Sequence, residues 1–156
     1  MKSKTLMLLA AITVLATLPI SVGLSAQQKF ATLDVPGATF TQAIEINPRG
    51  EIVGLYFDSS NNGHGFLLSN GTFTTIDVPG ASFTDAQAIN PQGDIVGLYD
   101  ITIGDIHGFL LSKGKFTTVD VPGGTDTEAT GINPQGDIVG GYADTSGNFH
   151  GFLLSK

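Results

Sequence analysis

The chain contains no cysteine and no tryptophan, and charged residues make up only 13% of its 156 positions. Without cysteine there is no disulfide framework, no thiolate metal site and no lipid attachment through a cysteine, so the fold has to rest on packing alone. Basic residues are scarce, with 7 Lys and Arg against 14 Asp and Glu. Nothing in such a composition can release counterions from a phosphate backbone or hold an anionic lipid surface, which excludes nucleic acid and, after removal of the leader described below, membranes as partners. No segment after the leader spaces its apolar residues by three and four over ten positions, so amphipathic helices are not expected. The sequence has no Gly-x-Ser-x-Gly elbow and no phosphate-cradling glycine loop leading into a helix.

The N-terminal region has its own character. Lys2 and Lys4 precede an uncharged apolar run from Leu6 to about Val22, followed by Gly-Leu-Ser-Ala. This order describes a secretory signal peptide over residues 1–26, cleaved after Ala26, or alternatively after Gly23. An uncleaved anchor is the competing reading. Against it, the run is short of the roughly 20 residues a bilayer span needs, and Pro19 interrupts it. The chain is therefore expected to be secreted, extracellular or periplasmic, with residues 27–156 as a single β domain.

That domain repeats itself. Asp34, Asp77 and Asp120 are evenly spaced, as are Asn47, Asn90 and Asn133, and His64, His107 and His150. The interval is 43 residues, a length associated with propeller blades and similar arrays. Turn chemistry punctuates each unit. "INPQGD" suits a hairpin loop with a left-handed glycine, "SNGT" and "SKGK" suit two-residue hairpin turns, and "VPGA" suits a type II turn. Between the turns lie short runs rich in Ile, Val, Tyr, Phe and Thr. In the second unit these are Ala86–Asn90, Asp94–Asp100, His107–Ser112 and Lys115–Val121.

The expected architecture is all-β: three tandem four-stranded antiparallel units at about 30–72, 73–115 and 116–156, arranged as propeller-like blades. "KFATLDVPG" at Lys29–Gly37 matches "KFTTVDVPG" at Lys115–Gly123. On this basis a leading strand at Phe30–Val35 is expected to pair beside His150–Ser155 and complete the last unit, since closure removes exposed sheet edges. A β-trefoil and an open array are the alternatives, and a homodimer that completes a six-bladed ring is a further one.

The phrases "INPRGEIVGLY…HGFLLS", "INPQGDIVGLY…HGFLLS" and "INPQGDIVGGY…HGFLLS" resemble the bacterial extracellular repeat family of the HAF (His-Ala-Phe) type. The resemblance covers nearly the whole of residues 27–156, with His-Gly-Phe replacing His-Ala-Phe in all three units. It implies export and a repeated β module, and it implies no reaction.

Candidate sites follow the repeat. The three histidines could converge on a metal such as zinc, but a residue written identically into every unit reads as a scaffold part, bonded from its ring to a neighbouring turn. Asp34, Asp77 and Asp120 at strand ends are expected to accept backbone N–H bonds. Asn47, Asn90 and Asn133 open the hairpin loops. Asp58, Ser60 and Asn62, with Asp144, Ser146 and Asn148, place oxygens at alternate positions and form weak calcium candidates. Neither a catalytic residue nor a required cofactor is indicated.

The sequence thus points to a secreted, non-enzymatic β-repeat module for binding or extracellular assembly, with a glycan or protein as ligand. A lectin-like carbohydrate-binding module is the first alternative and a propeller-type hydrolase or lyase the second.

Overall fold

Glycine and asparagine determine where the strands turn. In a computed structural model, which describes residues 28–155, Gly50 and Gly93 adopt φ of 77° and 88° in the Asn-Pro hairpin loops, and each donates its N–H back to the carbonyl of the asparagine that opens its loop. Asn70 with Gly71, and Lys113 with Gly114, have positive φ at both central turn positions, the type I′ geometry whose twist matches flanking strands. Gly80 at φ 86° makes the "VPGA" turn type II, closed by Ala81 N–H donating to Val78 O at 3.0 Å.

These turns separate eleven strands among the described residues: β1 (Phe40–Ile46), β2 (Ile52–Phe57), β3 (Gly63–Ser69), β4 (Thr72–Ile76), β5 (Phe83–Ile89), β6 (Ile95–Asp100), β7 (Ile106–Ser112), β8 (Lys115–Val119), β9 (Gly124–Ile132), β10 (Ile138–Asp144) and β11 (Phe149–Leu154). They form three antiparallel sheets, ordered β1-β2-β3-β4, β5-β6-β7-β8 and β9-β10-β11. Strands pair only within their own sheet, and no sheet closes on itself. The trefoil alternative, which needs a barrel shared between units, therefore does not describe this chain.

The sheets pack in sequence order. β5 lies against β1, β2 and β3, and β9 lies against β5, β6 and β7. Val53, Ile76 and Val78 of the first sheet region meet Ala86, Ile89 and Phe109 of the second in one buried cluster. Ala88, Val96 and Val119 meet Ala129 and Ile138 in the next. Within each sheet the register repeats: Gly54 faces Phe66, Gly97 faces Phe109, and Gly140 faces Phe152.

Two expectations need correcting. The third sheet has three strands, and residues 28–35 carry no strand. Thus the leading strand at Phe30–Val35 does not pair with β11 in this structure. The reason is local. Leu33 and Val35 pack against Phe66, Leu68 and Phe73 of the first sheet, and Val35 N–H donates to Thr41 Oγ1 at 3.1 Å, so this segment is held by its sequence neighbours. The sheets are also phased later than units starting at 30, 73 and 116, because β4 closes the first sheet and does not open the second. The chain divides into compact units at Ala31/Thr32, and the packing above belongs to the part from Thr32 onward. The signal peptide lies outside the described residues.

Candidate functional site

One end of each sheet carries the same station of side chains. It begins with a histidine near the start of the third strand, facing a tyrosine on the second. Cross-strand pairing puts Tyr56 opposite His64, Tyr99 opposite His107 and Tyr142 opposite His150. The ring centroids are 5.1, 5.3 and 5.2 Å apart, the first two pairs stacked and the third tilted. In the first two sheets the tyrosine hydroxyl reaches a threonine on the fourth strand, Tyr56 to Thr75 at 2.8 Å and Tyr99 to Thr118 at 3.0 Å.

Carboxylates hold both imidazole nitrogens in these two stations. His64 Nδ1 lies 2.9 Å from Asp77 Oδ1, and Nε2 lies 3.5 Å from Asp58 Oδ2. His107 Nδ1 lies 3.0 Å from Asp120 Oδ2, and Nε2 lies 3.4 Å from Asp105 Oδ1. Partial burial pulls both histidines down, but the hydrogen bonds and charges of Asp77 with Asp58, and of Asp120 with Asp105, outweigh it and raise them above the usual range. The third station is different. His150 meets Asp144 through Nε2 at 3.2 Å, and among the described residues Nδ1 has no carboxylate.

Asp77 and Asp120 thus serve imidazoles, and the expected backbone N–H bonds to Asp34, Asp77 and Asp120 are not found among the described residues. Asp34 is exposed, away from any histidine bond. Asp105 escaped the sequence reading. The middle loop, "DITIGD", has Asp100 one place out of register with Asp58, and the carboxylate arrives from Asp105, two residues before the histidine it serves.

The calcium candidates form hairpin loops in which the aspartate organises the backbone. Asp58 Oδ1 accepts from Ser60 N–H at 2.8 Å and Asn62 N–H at 2.9 Å, and Oδ2 accepts from Asn62 Nδ2 at 2.8 Å. Asp144 does the same with Ser146 and Asn148. The backbone and side-chain bonds of Asn62 bring Asp58 down to about 2, and those of Asn148 hold Asp144 well below the carboxylate range. Among the described residues no three His, Asp or Glu side chains gather as a metal site. The three histidines sit on separate sheets, each with its own carboxylate.

A cavity of about 210 Å³ opens beside the first station, lined by His64, Asp77 and the Val78–Thr84 turn. A larger one of about 570 Å³ lies at the opposite end of the sheets, between Arg49, Glu51, Gln92, Asp94 and Lys113. There Asn47 and Asn90 do two jobs. Each side-chain oxygen accepts two backbone N–H bonds of its own loop, at 2.9 and 3.1 Å for Asn47 and at 3.0 and 2.9 Å for Asn90. Each amide nitrogen reaches across to the asparagine carbonyl of the next loop, Asn47 to Asn90 O at 3.1 Å and Asn90 to Asn133 O at 3.5 Å. Glu51 is lowered by its bonds from Arg49 and then Asn47.

No family model matches the chain, and no curated protein matches it.

Proposed function

We propose that the chain is a secreted, non-enzymatic β-repeat module of the HAF type, with propeller-like blades, serving extracellular binding or assembly. The observation that carries this reading is the sameness of the His–Tyr–Asp stations. Catalysis divides labour between unlike groups, such as a nucleophile, a base and a charge stabiliser. Here like groups recur at intervals of 43 residues, and in two of the three stations both imidazole nitrogens are already engaged by carboxylates. The blade-like arrangement draws support from three consecutive meanders, the first strand of each later one packed across three strands of the sheet before. Ligand contact is assigned to the station end, because the loops 58–63, 100–106 and 144–148 differ most there while the strands behind them hold the same frame.

Three measurements test the reading. Cell fractionation with mass spectrometry should find the chain in the medium or periplasm, starting at Gln27; an intact chain retained in the cytoplasm overturns export. A polysaccharide hydrolysis and elimination assay should be blank. Turnover abolished by changing one station, and untouched by the same change in the other two, would identify an enzyme. Glycan-array binding in millimolar calcium would select the lectin-like version, and a blank array selects assembly.

A further inference from the structure

The third sheet is left with half of several pairs that the first two sheets complete. Tyr56 and Tyr99 bond to threonines, whereas Tyr142 has no hydroxyl partner among the described residues. His64 and His107 have carboxylates on Nδ1, whereas among the described residues His150 has one on Nε2 and none on Nδ1. Phe66 and Phe109 meet Phe73 and Phe116 edge-on at 5.5 and 5.6 Å, and among the described residues Phe152 has no such ring. In the first two sheets every missing group comes from the fourth strand or from the residue that directly follows it.

The complementary halves are on the leading segment. One repeat before Phe73, Thr75 and Asp77 stand Phe30, Thr32 and Asp34. Phe30 is 91% exposed, and neither Thr32 nor Asp34 has a side-chain bond among the described residues. Leu33 and Val35 pack on the first sheet, while Ile76 and Val78, one repeat later, join the cluster of the second. Leu33 and Val35 therefore sit where the end of the fourth strand of a preceding sheet would lie.

The outer faces match in the same way. Val53 and Val96 are fully buried against the following sheet, but their counterpart Val139 is 46% exposed and its neighbour Leu153 66%. Ile89 is 4% exposed against the preceding sheet, but its counterpart Ile46 is 62% exposed. The free face of the third sheet is thus the mate of the free face of the first. Within one chain these faces lie at opposite ends of the stack, since the first sheet packs on the second and the second on the third.

We infer that a second copy of this chain docks head to tail, its Lys29–Val35 segment adding a fourth strand to β11 and its first sheet covering the third. The register follows from β7 and β8, where Gly108 pairs with Val119 and Ser112 with Lys115: Gly151 would face Leu33 of the second copy, and Ser155 its Lys29. Asp34 of one copy then completes the His150 station of the other. Two copies closing on each other give six sheets, inside the four to eight typical of propellers; a rotation that does not close gives a longer head-to-tail chain. This rests on the assembly reading above only for its biological setting.

Sedimentation of the full chain at micromolar concentration should show a mass of two chains or a longer series. A single-chain mass across that range overturns the inference and leaves the proposed export untouched. Phe30→Asp and Ile46→Asp alter exposed side chains, so each should keep the β circular dichroism spectrum while weakening association at least about tenfold. Undiminished association in both variants places the contact elsewhere and overturns the inference. The chain has no cysteine of its own, so Ala31→Cys and Leu153→Cys can be combined in one chain, at positions that face each other in this register. Oxidation should link two chains on a non-reducing gel. A disulfide confined to single chains would mean closure within one copy, and absence of any disulfide would mean the wrong register; either refutes the docking.

Discussion

At the residue scale, the glycine of each Ile-Val-Gly run has a steric cause. A Cβ on Gly54, Gly97 or Gly140 would overlap the carbonyl oxygen of Gln42, Asp85 or Glu128 on the neighbouring strand, and would press the Phe66, Phe109 or Phe152 ring at 2.9, 2.8 and 2.8 Å. In the first two sheets the adjacent strands bulge at this level, between Ala43 and Glu45 and between Ala86 and Ala88. Backbone cannot give way as a flexible side chain can. Gly97→Ala should therefore lower stability by about 3 kcal/mol, read from the urea midpoint. His64 and His107 supply a second prediction. Their pKa is raised in the folded state by the aspartates, so their contribution to stability is complete below about 6.5, the ordinary histidine value, and fades as pH rises through the folded value. The melting temperature should fall across that interval, and a His64→Gln, His107→Gln double variant should lose the step. A wild-type melting temperature that climbs through the same interval would contradict the station geometry.

At the element scale, the hairpins are set by their turns and tied to each other by asparagine. Asn90 is 1% exposed and serves both its own loop and the carbonyl of Asn133. Asn90→Ala strips two backbone donors of their acceptor and cuts the link between sheets, an expected loss of about 2–4 kcal/mol by denaturant unfolding. Lys113 occupies a left-handed turn position at φ 51°, where the equivalent turn of the first sheet has Asn70. Asparagine tolerates that conformation better, so Lys113→Asn should raise stability by about 0.5 kcal/mol. The strands of the second unit were legible from their composition and turn residues to within a few positions. That set already had "KFTTV" as its last strand, in agreement with β8; what differed were the approximate unit bounds at 72/73 and 115/116, which cut through β4 and β8, strands that their ladders to β3 and β7 keep in the sheet before.

At the scale of the whole molecule, stability should depend on concentration. A chain that buries Val139 and Leu153 against a second copy gains folded-state stability by mass action, so its melting temperature should rise by a few degrees between about 1 and 100 µM. The Ile46→Asp variant should melt at one temperature throughout, and equal concentration dependence in both chains would argue against docking through this face. The sequence by itself determined the all-β class, the 43-residue interval, the turns and the recurrence of His64, His107 and His150 with Asp34, Asp77 and Asp120, because hairpin chemistry and spacing are local. Only the tertiary structure decided that Asp77 and Asp120 belong to histidines, that Asp105 replaces an out-of-register aspartate, and that the leading segment rests on the first sheet. Those outcomes depend on which strand lies beside which, and side chains 13 residues apart meet only after the β3–β4 and β7–β8 ladders have folded them together.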